Sequence, residues 1–157
     1  MSIGFEDVIQ VVAPEEPDYE SAAKLGPDAL PHLREIADGS DAMLASKAAY
    51  VASLIEDDGA ISVLETAAHN DDVTVRVAAA AGIANLRGRD VAGVVAQLLD
   101  DPDGGVRRCA LESMPGATGL QLRGRLETLQ DEDPDESIRL AAAKALDRAS
   151  IPDSLDA

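Results

Sequence analysis

The sequence is poor in aromatic residues, which make up 2% of its 157 residues and include no tryptophan. Hydrophobic residues nevertheless reach 46% of the chain, so a core must be built from alanine, leucine, valine and isoleucine. Small side chains fill an interior to native density only where backbones come close together. The composition therefore favours tightly packed helices over a core organised by large rings.

Cysteine and long apolar runs are also scarce. The single cysteine, Cys109, excludes an internal disulfide, and we expect it to be a small core residue. No apolar run approaches the roughly 20 residues that span a bilayer. The first residues lack the basic segment of a signal peptide. We therefore expect a cytoplasmic protein.

Basic residues are few, with 13 Lys and Arg against 30 Asp and Glu, a net charge of −17. This balance argues against binding to nucleic acid or to an anionic membrane, since both need a cationic surface. Salt screens the self-repulsion of such a surface, with a Debye length of about 3 Å at 1 M. The acidity favours a host cytosol rich in salt, as in halophilic archaea; the alternative is an acidic protein from a high-GC genome.

An acidic turn followed by an alanine-rich helix occurs three times in the chain. The copies are Asp71–Leu86, Asp103–Leu111 and Asp135–Leu146, and the arginine in each first turn is Arg76, Arg107 or Arg139. These arginines are 31 and 32 residues apart. A fixed period of this length is typical of a stacked repeat array. A degraded fourth copy lies at 43–51. In this first repeat, Ser40 is predicted to replace the aspartate and Leu44 the arginine.

Helical spacing and turn residues predict an all-α fold, an α-solenoid (superhelix) of about four helical hairpins with a short N-terminal helical cap. The domain is predicted to cover 18–149, with repeats at about 27–56, 58–87, 89–116 and 117–149. Residues 1–17 are predicted to be a helical N-terminal segment, either a docked cap or a mobile arm, with an amphipathic helix over 2–12. The final residues, 150–157, are predicted to be an acidic tail.

The repeated pattern Asp-x-x-Val-Arg-x-Ala-Ala-x-Ala-Leu, preceded by a helix with Leu-x-x-Leu spacing, resembles HEAT repeats. It is most like the short bacterial and archaeal HEAT-like variety that also occurs in phycobilisome lyases. The resemblance covers residues 27–149 and is most specific in the last three repeats. The signature residues of ankyrin and tetratricopeptide repeats, which have similar periods, are absent. The resemblance implies that the second helices of successive repeats line a concave face.

No arrangement typical of catalysis or metal binding stands out. The run 131–135 begins like a calcium loop, but Glu136 and Ala142 occupy the positions that require glycine and glutamate. The only histidines, His32 and His69, have no neighbouring glutamate of the kind that holds iron in HEAT-like hydroxylases. We therefore predict no enzymatic activity, no cofactor and no metal.

The aspartate and arginine of each repeat have a predicted structural role. An aspartate at a helix start can accept backbone N–H bonds, and an arginine one turn later can pair with it or reach the neighbouring repeat, forming a ladder. Gly82 lies inside a predicted helix, where glycine costs roughly 1 kcal/mol relative to alanine. We interpret it as a point of close approach between repeats, with a functional hinge as the alternative.

The concave face is the candidate binding site. Its predicted outward positions are Ala45, Ala48, Ala52, Val77, Ala81, Ala84, Arg108, Leu111, Glu112, Leu140 and Lys144. This set is poor in charge while the turns are acidic, so it would form an apolar trough suited to an amphipathic helix or to a peptide with basic flanks. The alternative is that its alanines are only helix formers.

The predicted function is that of a non-catalytic adaptor or scaffold that binds a partner protein or peptide on this face. One alternative is an accessory lyase or chaperone for a chromophore, which only the resemblance to phycobilisome lyases suggests. Another is an acidic regulator of a nucleic-acid-binding protein, acting by mimicry of DNA.

Overall fold

The computed structural model describes residues 2–149, and every regular element in that range is helical. The helices are α1 Phe5–Val12, α2 Tyr19–Ala23, α3 Leu30–Ala37, α4 Ala42–Ser53, α5 Gly59–Ala68, α6 Val73–Gly82, α7 Ala92–Leu99, α8 Gly104–Ser113, α9 Gly116–Gln121, α10 Arg123–Glu132 and α11 Glu136–Ala149. The predicted all-α class is confirmed. The predicted acidic tail at 150–157 lies outside the described residues.

The helices form two layers. The pairs α3–α4, α5–α6, α7–α8 and α10–α11 each pack as a hairpin. The first helices α3, α5 and α7 contact one another in order, and the second helices α4, α6, α8 and α11 do the same. This arrangement of stacked hairpins is the predicted α-solenoid.

Alanine builds the contact between successive second helices. The fully buried alanines of these helices include Ala48, Ala49, Ala52, Ala79, Ala80, Ala110 and Ala142. Because the distance between helix axes depends on the side chains at the contact, alanine lets the axes come close. Leucine, isoleucine and valine fill the space between the two layers. Because the hairpins stack closely, small side chains fill the core and few aromatic residues are needed.

Each second helix begins at an aspartate that accepts hydrogen bonds from its first turn. Asp72 Oδ1 accepts from the backbone N–H and the hydroxyl of Thr74, at 2.8 and 2.5 Å, and Asp135 does the same with Ser137. These bonds, the hydroxyl's first, hold the pKa of both carboxyl groups below the ordinary value. Each carboxylate therefore satisfies backbone donors that a helix start leaves without partners.

The first hairpin differs by one residue from the sequence prediction. Asp41, rather than Ser40, caps α4 and accepts from the N–H of Leu44 at 3.1 Å. The arginine position of this repeat is therefore Ala45, and the prediction that Leu44 occupies it was wrong. The sequence offers two capping residues in succession, and burial of the alanine stripe of α4 selects the second of them.

The N-terminal helix α1 packs on the first hairpin, against α3 and α4. Its Val8 and Val12 side chains are fully buried. The His32 Nε2 group lies 2.9 Å from the carbonyl oxygen of Ile3 and fixes the start of the segment to α3. In the described structure, this helix therefore covers the apolar end of the stack that would otherwise face solvent.

The other end of the stack is closed by polar side chains. Val95 and Leu98 of α7 are buried, whereas the positions 32 residues later in the next repeat hold Glu127 and Gln130, both exposed. A helix that replaced the two polar residues with apolar ones would present a bare stacking surface. The last hairpin is preceded by an additional short helix, since α9 and α10 meet at Leu122.

Candidate partner-binding face

The regular spacing of the repeat arginines produces a ladder between hairpins. Arg76 donates from Nε and Nη2 to the two carboxylate oxygens of Asp101, at 2.8 and 3.3 Å. Its Nη1 donates to the carbonyl oxygen of Asn70 at 3.0 Å. Arg107 repeats this geometry with Asp133, at 2.9 and 3.2 Å. Each arginine thus joins its own turn to the turn of the following hairpin.

The ladder is a structural feature and not a ligand site. The side chains of Asp101 and Asp133 are only 5% and 2% exposed, and their arginine partners are 16% and 14% exposed. The predicted contact between hairpins is present. The alternative within one helix, a pair of Asp72 with Arg76, is replaced by this bidentate pairing across the stack, which holds both planar groups in one geometry.

The first rung of the ladder is built differently. Ala45 stands where the arginine would be, and the next turn carries Asn70 in place of Asp101 or Asp133. The Asn70 amide donates from Nδ2 to the carbonyl oxygens of Ala37 and Gly39, at 2.9 and 3.1 Å. The amide therefore supplies donors to the preceding turn, as Nη1 of the arginine does in the later repeats.

The Asn70→Asp substitution is expected to destabilise the protein by about 2 kcal/mol, because it removes both donors from half-buried carbonyl groups and puts a carboxylate beside them. Adding Ala45→Arg should recover part of this loss by building the missing arginine–aspartate rung. Ala45→Arg alone should destabilise, since Ala45 is fully buried and Asn70 offers no charge. Urea denaturation of the unmodified protein, the two single variants and the double variant measures the coupling energy between positions 45 and 70. Purely additive changes in the free energy of unfolding would contradict this account of the rung.

Four of the eleven predicted site residues do not reach the surface. Ala45, Ala48, Ala52 and Leu111 are fully buried in the core, so their predicted outward position was wrong. Ala45 and Ala52 lie one residue before the equivalents of Val77 and Ala84, as the register error predicts, whereas Ala48 lies two residues before the equivalent of Ala81. The prediction for Leu111 failed for a different reason. Leu111 on α8 occupies the repeat position of the buried Ala80 on α6, which is not an outward position. These residues stabilise the stack instead.

The other seven predicted residues reach the surface, six of them on the second helices α6, α8 and α11 and Ala84 on the short 3-10 helix Ile83–Asn85 that follows α6. The half-buried ones are Val77 and Ala81, and the exposed ones are Ala84, Arg108, Glu112, Leu140 and Lys144. Together with Val73, these seven residues are named the second-helix face below. Val77, Arg108 and Leu140 occupy the same position of the repeat on α6, α8 and α11, so they follow one another across the stack.

Exposed large hydrophobic side chains concentrate on the second helices. In the described part of the chain, Met43, Val73 and Leu140 are exposed on α4, α6 and α11, and a fourth such residue, Leu120, lies on α9. Val73 was missed by sequence analysis, although it precedes Val77 by one helical turn and therefore shares its face. The second-helix face is thus apolar over α6.

The face changes character over α8 and α11. Arg108 donates from Nε to Glu112 at 2.9 Å, and both side chains are more than half exposed. The Glu112 carboxylate raises the pKa of the Arg108 guanidinium above its ordinary value. A groove of about 150 Å³ between the two helices is lined by this pair together with Leu140, Lys144 and Arg148.

The α4 end of the second-helix layer is covered by the N-terminal segment. The Tyr19 ring of α2 packs edge-on against Tyr50 of α4, with the ring centroids 5.0 Å apart. Lys47 donates from Nζ to the carbonyl oxygen of Pro14 at 2.6 Å. The open part of the layer therefore extends over α6, α8 and α11.

The other chemically notable groups do not form a reactive site. Cys109 is half-buried, with Sγ 3.8 Å from the carbonyl oxygen of Val77, and burial raises the pKa of its thiol. Among the described residues, no group of three or more His, Cys, Asp or Glu is placed to hold a metal ion. The same part of the chain has no helix whose length and hydrophobicity would suffice to cross a membrane.

The stacked hairpins and their open second-helix layer define the class of protein, an α-solenoid of two-helix repeats. The model of the family described as HEAT repeats matches residues 61–146, more than half of the chain. The chain belongs to the HEAT-repeat family, and the resemblance drawn from the repeated motif is confirmed.

A solved structure extends the likeness across nearly the whole chain. One chain from the complex of CpcE and CpcF of phycocyanin lyase from Nostoc sp. PCC7120 superposes with a TM-score of 0.68, at 20% sequence identity, over 90% of this chain and 96% of that chain. Similarity at this level of identity concerns the fold alone. A comparison with curated proteins finds no match.

Proposed function

We propose that this protein is a non-catalytic adaptor that binds a partner protein through the second-helix face. Two of the four exposed large hydrophobic side chains in the described structure, Val73 and Leu140, belong to this face, and this observation carries the proposal. HEAT-type solenoids present surfaces rather than enclosed cavities, which suits the recognition of another protein. The strongly acidic composition supports a protein partner over nucleic acid or an anionic membrane.

A second candidate is an accessory role in chromophore attachment. The observation that favours it is the fold shared with a chain of the phycocyanin lyase complex. The half-buried Cys109, with its raised pKa, is a poor nucleophile, so this chain would have to act by holding a substrate protein. Both candidates therefore use the same kind of surface, and they differ in the partner.

Leu140→Asp is expected to weaken partner binding about 30-fold, the effect of losing one interface hot spot of about 2 kcal/mol. Leu140 is 58% exposed, so the substitution leaves the core intact. The partner is first identified by affinity capture with the unmodified protein and then purified, and its Kd is measured by calorimetry.

Leu120→Asp is the matched control, because Leu120 is 52% exposed but lies on α9, which is not a second helix and carries no residue of the second-helix face. Its affinity should stay within about twofold of the unmodified protein, since a surface change outside an interface has little effect. Equal losses for the two variants, or no loss for Leu140→Asp, would exclude the second-helix face as the binding site.

A further inference from the structure

We propose that the partner segment is an amphipathic helix that is apolar where it crosses α6 and acidic where it crosses α8 and α11. This inference rests on the proposed function and adds the chemistry of the occupant. It also departs from the sequence expectation of a peptide with basic flanks, which was based on the acidic turns around the face.

The charge of the groove between α8 and α11 is opposite to that of the whole protein. Arg108, Lys144 and Arg148 line it, and Glu112 is the one carboxylate among its described lining residues. The chain as a whole carries a net charge of −17. Salt screens the distant carboxylates of the protein, so at close range the cations of the groove dominate the electrostatic field. At that range the groove attracts an acidic segment and repels a basic one.

The groove cations are available to a ligand. Arg148 donates from Nη2 to the carbonyl oxygen of Leu111 at 2.6 Å, which holds its guanidinium at one end of the groove while leaving its other N–H groups for an acceptor. The ion pair between Arg108 and Glu112 is exposed on both sides, so exchanging the carboxylate costs little. An incoming carboxylate can therefore bind without breaking a buried contact.

The apolar end of the site lies on α6. Val73, Val77 and Ala81 follow one another at intervals of four residues and form one stripe without charge. Leu140 continues the apolar surface between the groove cations. A complementary segment must then carry apolar residues along its length and carboxylates toward one end only.

The distances favour a helix of about three to four turns. Neighbouring helix axes are separated by about 8–10 Å, so the path from α6 to α11 is roughly 20 Å, or about 13 residues of α-helix. An extended segment would bring backbone N–H and C=O groups against helices whose own backbone groups are already bonded. A helix satisfies its backbone internally and presents only side chains.

The probe for this inference is a phage-displayed library of 16-residue helical peptides with varied residues on one face, selected against the full chain in 150 mM KCl. Enriched peptides should carry Asp or Glu toward one end beside leucine-sized residues. Their affinity is then measured by fluorescence anisotropy. Lys144→Glu should weaken binding about fivefold, and Lys144→Glu with Arg148→Gln at least tenfold.

Arg123→Glu is the control, because Arg123 is an exposed cation on α10, outside the groove, and it should change the affinity by less than twofold. Enrichment of Lys and Arg, or full affinity of the Lys144 variants, would overturn the acidic-helix inference. Val77→Asp, checked for folding by circular dichroism, separates the proposal that the second-helix face binds a partner from the inference that the bound helix is acidic. If only Val77→Asp abolishes binding, the face stands and the charge inference falls; if no variant weakens binding, both fall.

Discussion

Replacing Asp101 with alanine is expected to lower the free energy of unfolding by about 3 kcal/mol, whereas the same change at Asp100 should cost less than about 1 kcal/mol. The two aspartates are adjacent in sequence, and both pair with an arginine of another helix. Asp101 is buried and holds Arg76 through two hydrogen bonds, while the pair of Asp100 with Arg125 is largely exposed. Removing the buried carboxylate leaves a half-buried cation without its counter-charge.

Thermal denaturation of both variants tests this difference. For a chain of this size, about 3 kcal/mol corresponds to a fall in Tm of roughly 6–12 °C, against about 3 °C or less for the exposed pair. Asp101→Ala also removes the acceptor of the Asp103 N–H, 2.9 Å away in the same turn, which adds to the loss. Similar Tm values for the two variants would show that the ladder contributes no more than ordinary surface ion pairs.

A second large effect is expected at Gly82, where valine should destabilise the protein by about 3 kcal/mol. A Cβ atom at this position would lie 3.0 Å from Cβ of Ser53 and 3.2 Å from Cδ2 of Leu64, both in the core. The close approach between repeats that the sequence suggested for Gly82 is therefore present. The larger valine side chain must either push α6 away from α4 or force a neighbouring side chain out of its preferred rotamer.

Gly93→Val provides the comparison, because a Cβ atom at Gly93 would meet no atom within 4 Å. Both substitutions place the same residue in a helix, so the difference between them isolates the packing effect. We expect Gly93→Val to change the unfolding free energy by less than about 0.5 kcal/mol, as surface substitutions usually do. A tolerated Gly82→Val would contradict the close approach between repeats as the reason for this glycine.

Much of the fold is local in sequence and could be predicted for that reason. A helix cap joins an aspartate to a backbone N–H two or three residues away, and helical periodicity appears within a few turns. The arginine spacing of 31 and 32 residues then indicates how the local units repeat. The site was harder to predict, because an outward position on a helix depends on its register as well as on its composition.

The register error in the first hairpin shows how sensitive that step is. Ser40 and Asp41 can both cap a helix, and a shift of one residue turns every side chain of α4 by about 100°. This rotation moved Ala45 and Ala52 from the predicted face into the core. Each of the three later repeats contains an aspartate four residues before an arginine, so the registers of these repeats could be fixed from sequence.

The sequence by itself determined the repeat period, the helical class, the capping aspartates of the last three repeats and the close approach at Gly82, because each depends on neighbouring residues or on a repeated pattern. Only the tertiary structure decided that Arg76 pairs with Asp101, 25 residues away, that α2 covers Tyr50, and that cations gather between α8 and α11. These features arise where separate hairpins meet. Their geometry is set by how closely alanine lets the helices stack, and no single segment of the chain contains that information.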